Sequence, residues 1–209
     1  YEGFSENRIP DCSLYGDGTL IWKLANEVGE EVLTATLDEA AVSSFLREVI
    51  AQGFFGWPGR KDVGLPPEGR PTQILTANFG GYSQVVQGTD EVSSSAFEAL
   101  YRRCFEIGGE GAPYLPDGAW LSAVSVEPTL DGLPDWPDEA GLDLADLAAS
   151  GEEQWVTGPA LEAAWDVIHL QNAAAITQQG GMQYRLILRV PYLTFNAPPP
   201  PGDPEAGGS

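Results

Sequence analysis

The sequence predicts an α+β fold: antiparallel, hairpin-built sheets with amphipathic helices packed on one face, arranged as two lobes. Three observations lead to this reading. Asp17-Gly18, Gly80-Gly81 and Gly180-Gly181 are two-residue hairpin turns set between apolar or alternating runs. Helical stripes recur over Val42–Ile50, Phe97–Phe105 and Leu161–Ile168. Gly/Pro-rich stretches at 53–71 and 108–118 punctuate them.

Taken in order, the Asp17-Gly18 turn joins a strand at Cys12–Leu14 to one ending at Trp22. A two-residue turn there puts Cys12, Leu14 and Ile21 on one pleated face. Glu31–Leu37 reads as a strand, and Asp38 caps the helix that follows, with Leu37 and Val42 placed for a hydrophobic staple. Val42, Phe45, Leu46, Val49 and Ile50 form its apolar stripe, and Gly53 stops it. The Gly80-Gly81 hairpin sets Phe79 opposite Tyr82, Ala77 opposite Gln84 and Leu75 opposite Val86. Ser93–Ser95 offer caps to a helix carrying Phe97, Leu100, Tyr101, Cys104 and Phe105, which ends at Gly108.

The break at 108–118 divides a first lobe (1–113) from a second (114–196). The second lobe opens with a strand from Trp120 to Val126. An acidic, Pro-punctuated stretch, 127–153, follows, with a short helix near Asp143–Ala149. Pro159 starts another helix, striped by Leu161, Ala164, Trp165 and Ile168. After Gly180-Gly181, a strand sets Met182, Tyr184, Leu186, Leu188 and Val190 on one face, and Gln183, Arg185, Ile187 and Arg189 on the other. The tail, 197–209, is read as a polyproline spacer loosening into coil.

At 209 residues and 43% hydrophobic, with 8 Phe, 7 Tyr and 6 Trp, the chain can bury a real core. Its 31 acids against 10 bases give a net charge of −21. That field repels phosphate backbones and anionic headgroups, so no nucleic acid partner and no direct membrane insertion are expected. Tyr1 is not a start methionine, which implies a removed signal segment or a longer N-terminus. Acidity, the Pro-rich tail and the cysteine pair point to an extracellular, cell-surface or periplasmic location. A lipid anchor upstream of residue 1 would suit it.

Cys12 and Cys104 fit no metal, haem or redox spacing. Both fall on core-facing positions of their elements, so a disulfide is expected. The alternative is two separate buried thiols.

Leu14-Tyr15-Gly16-Asp17-Gly18-Thr19 leads into a sheet, a helix ends in Gly53-Phe54-Phe55, and a Gly-turn hairpin and an amphipathic helix follow. Over residues 14–105 this layout resembles small domains of bacterial extracytoplasmic lipoproteins of unknown function. More loosely, it is similar to emfourin, a protein inhibitor of thermolysin-type metalloproteases. The resemblance implies an envelope or secreted location and a protein-binding role.

No nucleophile elbow, dinucleotide fingerprint or phosphate loop occurs, and His169 is the single histidine. No cofactor is expected. Asp131, Asp135, Asp138 and Asp143 lie in one irregular stretch and are weak candidates for calcium, which takes about six to eight oxygens. The competing reading is a solvated acidic loop. Trp57 and Trp136 sit in Pro/Gly loops, where an aromatic either anchors a partner or folds back over the core. Contact with a partner is the reading adopted here. Arg185 and Arg189, the only bases after residue 118, share a strand face and are a second contact candidate. The function expected is non-catalytic: an exported accessory or structural domain binding a protein partner or assembling with itself. The alternatives are a secreted-protease inhibitor and a carboxylate-based hydrolase.

Overall fold

The computed structural model describes residues 7–25, 30–57, 72–79, 82–89, 95–127, 130–171, 174–194 and 196–202. The fold is α+β, with strands in two sheets. The chain separates into two compact units. One comprises Pro10–Leu24 and Val32–Tyr114; the other comprises Tyr1–Ile9, Ala25–Glu31 and Leu115–Ser209. They are called here the N-terminal and C-terminal units.

The N-terminal unit is built on β1 (Cys12–Leu14), β2 (Thr19–Ala25), β3 (Glu30–Thr36), α1 (Glu39–Ala51), β4 (Thr72–Phe79), β5 (Tyr82–Thr89), α2 (Ser95–Gly108) and β6 (Ala112–Pro113). The strand order is β5-β4-β1-β2-β3-β6. The sheet is mixed, because β1 runs parallel to β4, with Cys12 opposite Leu75. Two strands so far apart in sequence leave no local signal of their adjacency. The remaining pairings described for this sheet are antiparallel, in keeping with the hairpin-built sheets expected.

The first hairpin differs from expectation by one residue. Cys12 pairs with Trp22 and Leu14 with Leu20, so Ile21 lies opposite Ser13 on the other face. The loop has three residues: Tyr15 N–H donates to Thr19 O at 2.8 Å, and Gly18 takes φ +90°. This is the three-residue turn with a glycine bulge, and the extra residue flips the outgoing strand. Asp17 accepts from Thr19 N–H at 2.8 Å, which lowers its carboxyl below the ordinary range. A Cβ at Gly18 would stand 2.5 Å from Leu37 O, so no other residue fits there.

Asp38 caps α1 by accepting from Ala41 N–H at 2.7 Å, and Gly53 ends it in the left-handed region. Phe45, Leu46 and Val49 are buried, but Ile50 is 61% exposed. The stripe is therefore one residue narrower than the sequence suggested. The β4–β5 register sets Phe79 opposite Tyr82 and Leu75 opposite Val86, as the turn predicts. Gly80 and Gly81, and the Ser93 and Ser94 caps, lie outside the described residues.

Residues 108–118 do more than join two lobes. Within them β6 pairs with β3, Thr34 opposite Ala112, and Tyr114 N–H donates to Val32 O at 2.8 Å. Gly108 and Gly111 lie against the ring of Trp22, which is 1% exposed. A Cβ on either would enter that ring at 2.5–2.6 Å, so the glycines are there for close packing.

The C-terminal unit contains β7 (Ala119–Val126), α3 (Leu144–Ser150), β8 (Gln154–Val156), α4 (Gly158–Trp165), β9 (Ile176–Gln179) and β10 (Met182–Arg189). A π-helical turn, Asp166–Gln171, extends α4. The sheet is antiparallel in the order β8-β7-β10-β9. Met182 pairs with Gln179 across Gly180 and Gly181, whose φ values of +60° and +80° match the predicted two-residue turn. Asp143 caps α3, accepting from Ala145 N–H at 2.7 Å. One sheet face buries Ala119, Leu121, Ala123, Tyr184, Leu186 and Leu188; α3 packs on β7 and α4 on β10.

Where β9 stops at Ile176, the side chain of Asn7 takes over the edge of β10. Its amide donates to Leu186 O at 2.9 Å and accepts from Leu188 N–H at 2.7 Å. One buried amide thus replaces a rung of missing strand. Among the described residues no helix is long and apolar enough to cross a membrane.

Candidate functional site: the outer face of the C-terminal sheet

Cys12 and Cys104 form a disulfide between β1 and α2, with Cα atoms 6.4 Å apart. Both residues are 2% exposed and sit in the same apolar cluster as Leu14, Phe45 and Leu100. The bridge is a structural staple, sealed from solvent. A void of about 30 Å³ lies beside it. That is one water's share of volume, far below a ligand chamber of roughly 300 Å³ or more. A larger, open trough of about 450 Å³ is lined by Glu98, Tyr101, Arg102, Phe105 and Glu106 of α2, and no second element among the described residues lines it.

The structure places Trp136 as a lid over its core and Trp57 half-buried against the N-terminal cluster. Trp136 is 4% exposed, and its indole N–H donates to Leu142 O at 3.0 Å. Its backbone explains the burial: Trp136 N–H donates to Gln178 O at 2.7 Å, and Gln178 N–H to Pro134 O at 3.0 Å. Pro134–Trp136 therefore adds a rung to the free edge of β9 and carries the indole inward. Trp57 is half-buried, its ring 5.4 Å from Phe54 and 6.4 Å from Phe97. Its indole donates to Gln52 O at 3.1 Å, and its own carbonyl accepts from Gln84 at 2.9 Å.

The calcium reading of the acidic stretch gains no support. Among the described residues no group of three or more His, Cys, Asp or Glu converges on a metal position. Asp143 spends its carboxylate on the α3 cap, and Asp135 accepts from Gln178 at 2.8 Å. Asp131 and Asp138 are exposed. His169 is buried with its ring 4.2 Å from that of Trp165.

The arginine strand stands differently. Trp120, Ser122 and Val124 alternate with the buried residues of β7 and so point to the outer face. Opposite them on β10 lie Arg189, Ile187 and Arg185, and opposite Trp120 on β8 lies Trp155. Val124 is 50% exposed, and Arg185, Ile187 and Trp120 are half-buried. Arg189 Nη2 pairs with Glu153, while its buried Nε meets no acceptor among the described residues. Arg185 has no ion pair among them. The rings of Trp120 and Trp155 meet edge to face at 5.4 Å. Gly118 is required beneath them, since a Cβ there would collide with Trp155. The sequence singled out the two arginines but not the tryptophans. Trp155 follows an acidic turn, Glu152-Glu153, and gives no sign that it lies opposite Trp120.

Residues 196–202 of the tail depart from the spacer expected, while 203–209 lie outside the described residues. The chain turns at Pro191–Thr194, where Thr194 N–H donates to Val190 O at 3.0 Å. It then lies on the outer face: Arg189 Nη1 donates to Asn196 O at 3.3 Å and the Trp120 indole to Pro199 O at 3.0 Å. Residues 197–200 are half-buried, whereas Pro201 and Gly202 are exposed.

Elsewhere in the unit, burial raises the Asp166 carboxyl above its ordinary range, with a further contribution from Glu162 one turn earlier. An acid held high in the folded state binds its proton more tightly than in the unfolded chain. Stability therefore falls as pH rises through that range, and the loss is complete above the folded value. Asp166→Asn is expected to raise the melting temperature slightly at neutral pH, the scale being the about 0.2–0.5 kcal/mol of a like-charge helical pair. The gain should vanish below the ordinary carboxylate pKa, which thermal melts at the two pH values would check.

No known protein family matches the chain, and neither a characterised protein nor a solved structure shows significant similarity to it.

Proposed function

We propose that this is a non-catalytic, exported accessory domain that binds a protein partner through the outer face of its C-terminal sheet. The observation that carries the reading is the character of that face. Half-exposed Val124 lies opposite Arg185, one of only two bases after residue 118 in a chain of net charge −21. Exposed apolar surface beside a guanidinium is the composition of an interface centre rather than of a solvated sheet. The buried disulfide supports an oxidising location such as the cell surface or periplasm.

The test is recovery of the native partner by the double variant Val124→Asp/Arg185→Glu. The register sets the two new acids opposite each other, which should cost up to about 1 kcal/mol, so recovery is compared at a temperature where the variant and the unaltered chain are both folded. Binding should weaken by about 2 kcal/mol or more. Undiminished recovery would refute this contact face.

A further inference from the structure

We infer that the outer face at Trp120 and Trp155 is a recognition site for a proline-rich extended segment of a partner protein, and that the chain's own tail is its resident occupant. The inference rests on the proposed contact face and names the ligand chemistry. A proline run has no N–H to offer a sheet edge, and its carbonyls have no internal donors. It docks where an indole N–H meets a carbonyl beside aromatic surface. That arrangement is present here. The Trp120 indole donates to Pro199 O at 3.0 Å, Trp155 stands edge-on to Trp120, and Arg189 Nη1 reaches Asn196 O. Burial along the tail stops after Pro200, next to the carbonyl the indole holds.

The occupant in trans is a different protein rather than a second copy, because two chains of charge −21 repel each other. The tethered tail competes at an effective concentration on the order of millimolar. A partner segment must displace it, so the tail sets a threshold for binding.

The probe is a peptide with the sequence of residues 196–202, titrated into the full chain while the indole N–H resonances of Trp120 and Trp155 are followed. In a variant with Pro198, Pro199 and Pro200 all changed to Ser, the peptide should shift both resonances. It should also bind at least about tenfold more tightly than to the unaltered chain, whose site is filled. Adding Trp120→Phe, which keeps a ring but removes the donor, should weaken that binding by about fivefold at unchanged melting temperature. A Gly/Ser peptide of equal length should do nothing. Unmoved indoles in the Ser variant would overturn the site. Concentration-dependent dimerisation of the unaltered chain through these resonances would overturn the partner in favour of tail exchange. If the peptide fails while Val124→Asp/Arg185→Glu still releases the native partner, the contact face stands and only the proline reading falls.

Discussion

Reducing the Cys12–Cys104 bridge is expected to destabilise the N-terminal unit by about 4–5 kcal/mol, the chain-entropy value for so long a loop. The bridge closes a separation of 92 residues and ties the central strand β1 to α2. Both sulfurs are buried, so reductant reaches them only when the unit opens. Slow loss of structure under reductant, and a large drop in melting temperature once reduced, are the expected results. The variant Cys12→Ser/Cys104→Ser should show the same drop without reductant. Two alkylatable thiols in native protein prepared without reductant would refute the bridge and remove the main support for export.

Trp136→Ala is expected to cost the C-terminal unit about 3–5 kcal/mol while leaving its outer face intact. The indole is 4% exposed and its N–H is held by Leu142 O, so truncation leaves a cavity, while Leu142 O keeps the longer bond from the Gln179 amide at 3.3 Å. The substitution leaves the backbone rung to Gln178 in place, which limits the damage to the packing beneath it. Thermal melts of the variant and the unaltered chain, paired with partner recovery at a temperature where both are folded, separate the two roles. A variant that melts normally but loses its partner would restore Trp136 as an interface anchor.

Much of the fold was legible where the chemistry is local. The Gly180-Gly181 turn fixes the β9–β10 register, and Asp38 and Asp143 cap the helices that follow them. The Cys12–Cys104 pairing was readable because each cysteine sits on its own element's apolar side. Local chemistry failed at Asp17-Gly18, where a bulge adds one residue and sends Ile21 to the opposite face. It had nothing to say about β1 lying parallel to β4, which depends on strands some sixty residues apart meeting in one sheet. Trp136 was misread for a similar reason. Its loop looked like surface until the free edge of β9 supplied hydrogen-bond partners for its backbone. The candidate site was half legible. Arg185 and Arg189 stood out as rare bases, but Trp155 and the tail reach the same face only through the register of β8 and the turn at Pro191–Thr194.

The contact-face account is tested most directly by measuring native-partner binding to Val124→Asp/Arg185→Glu, with Trp136→Ala alongside as the packing control. The account predicts that the double variant, measured at a temperature where it is folded, loses at least about thirtyfold in affinity, the equivalent of about 2 kcal/mol. Folded Trp136→Ala should bind normally. Full affinity in the double variant would contradict it.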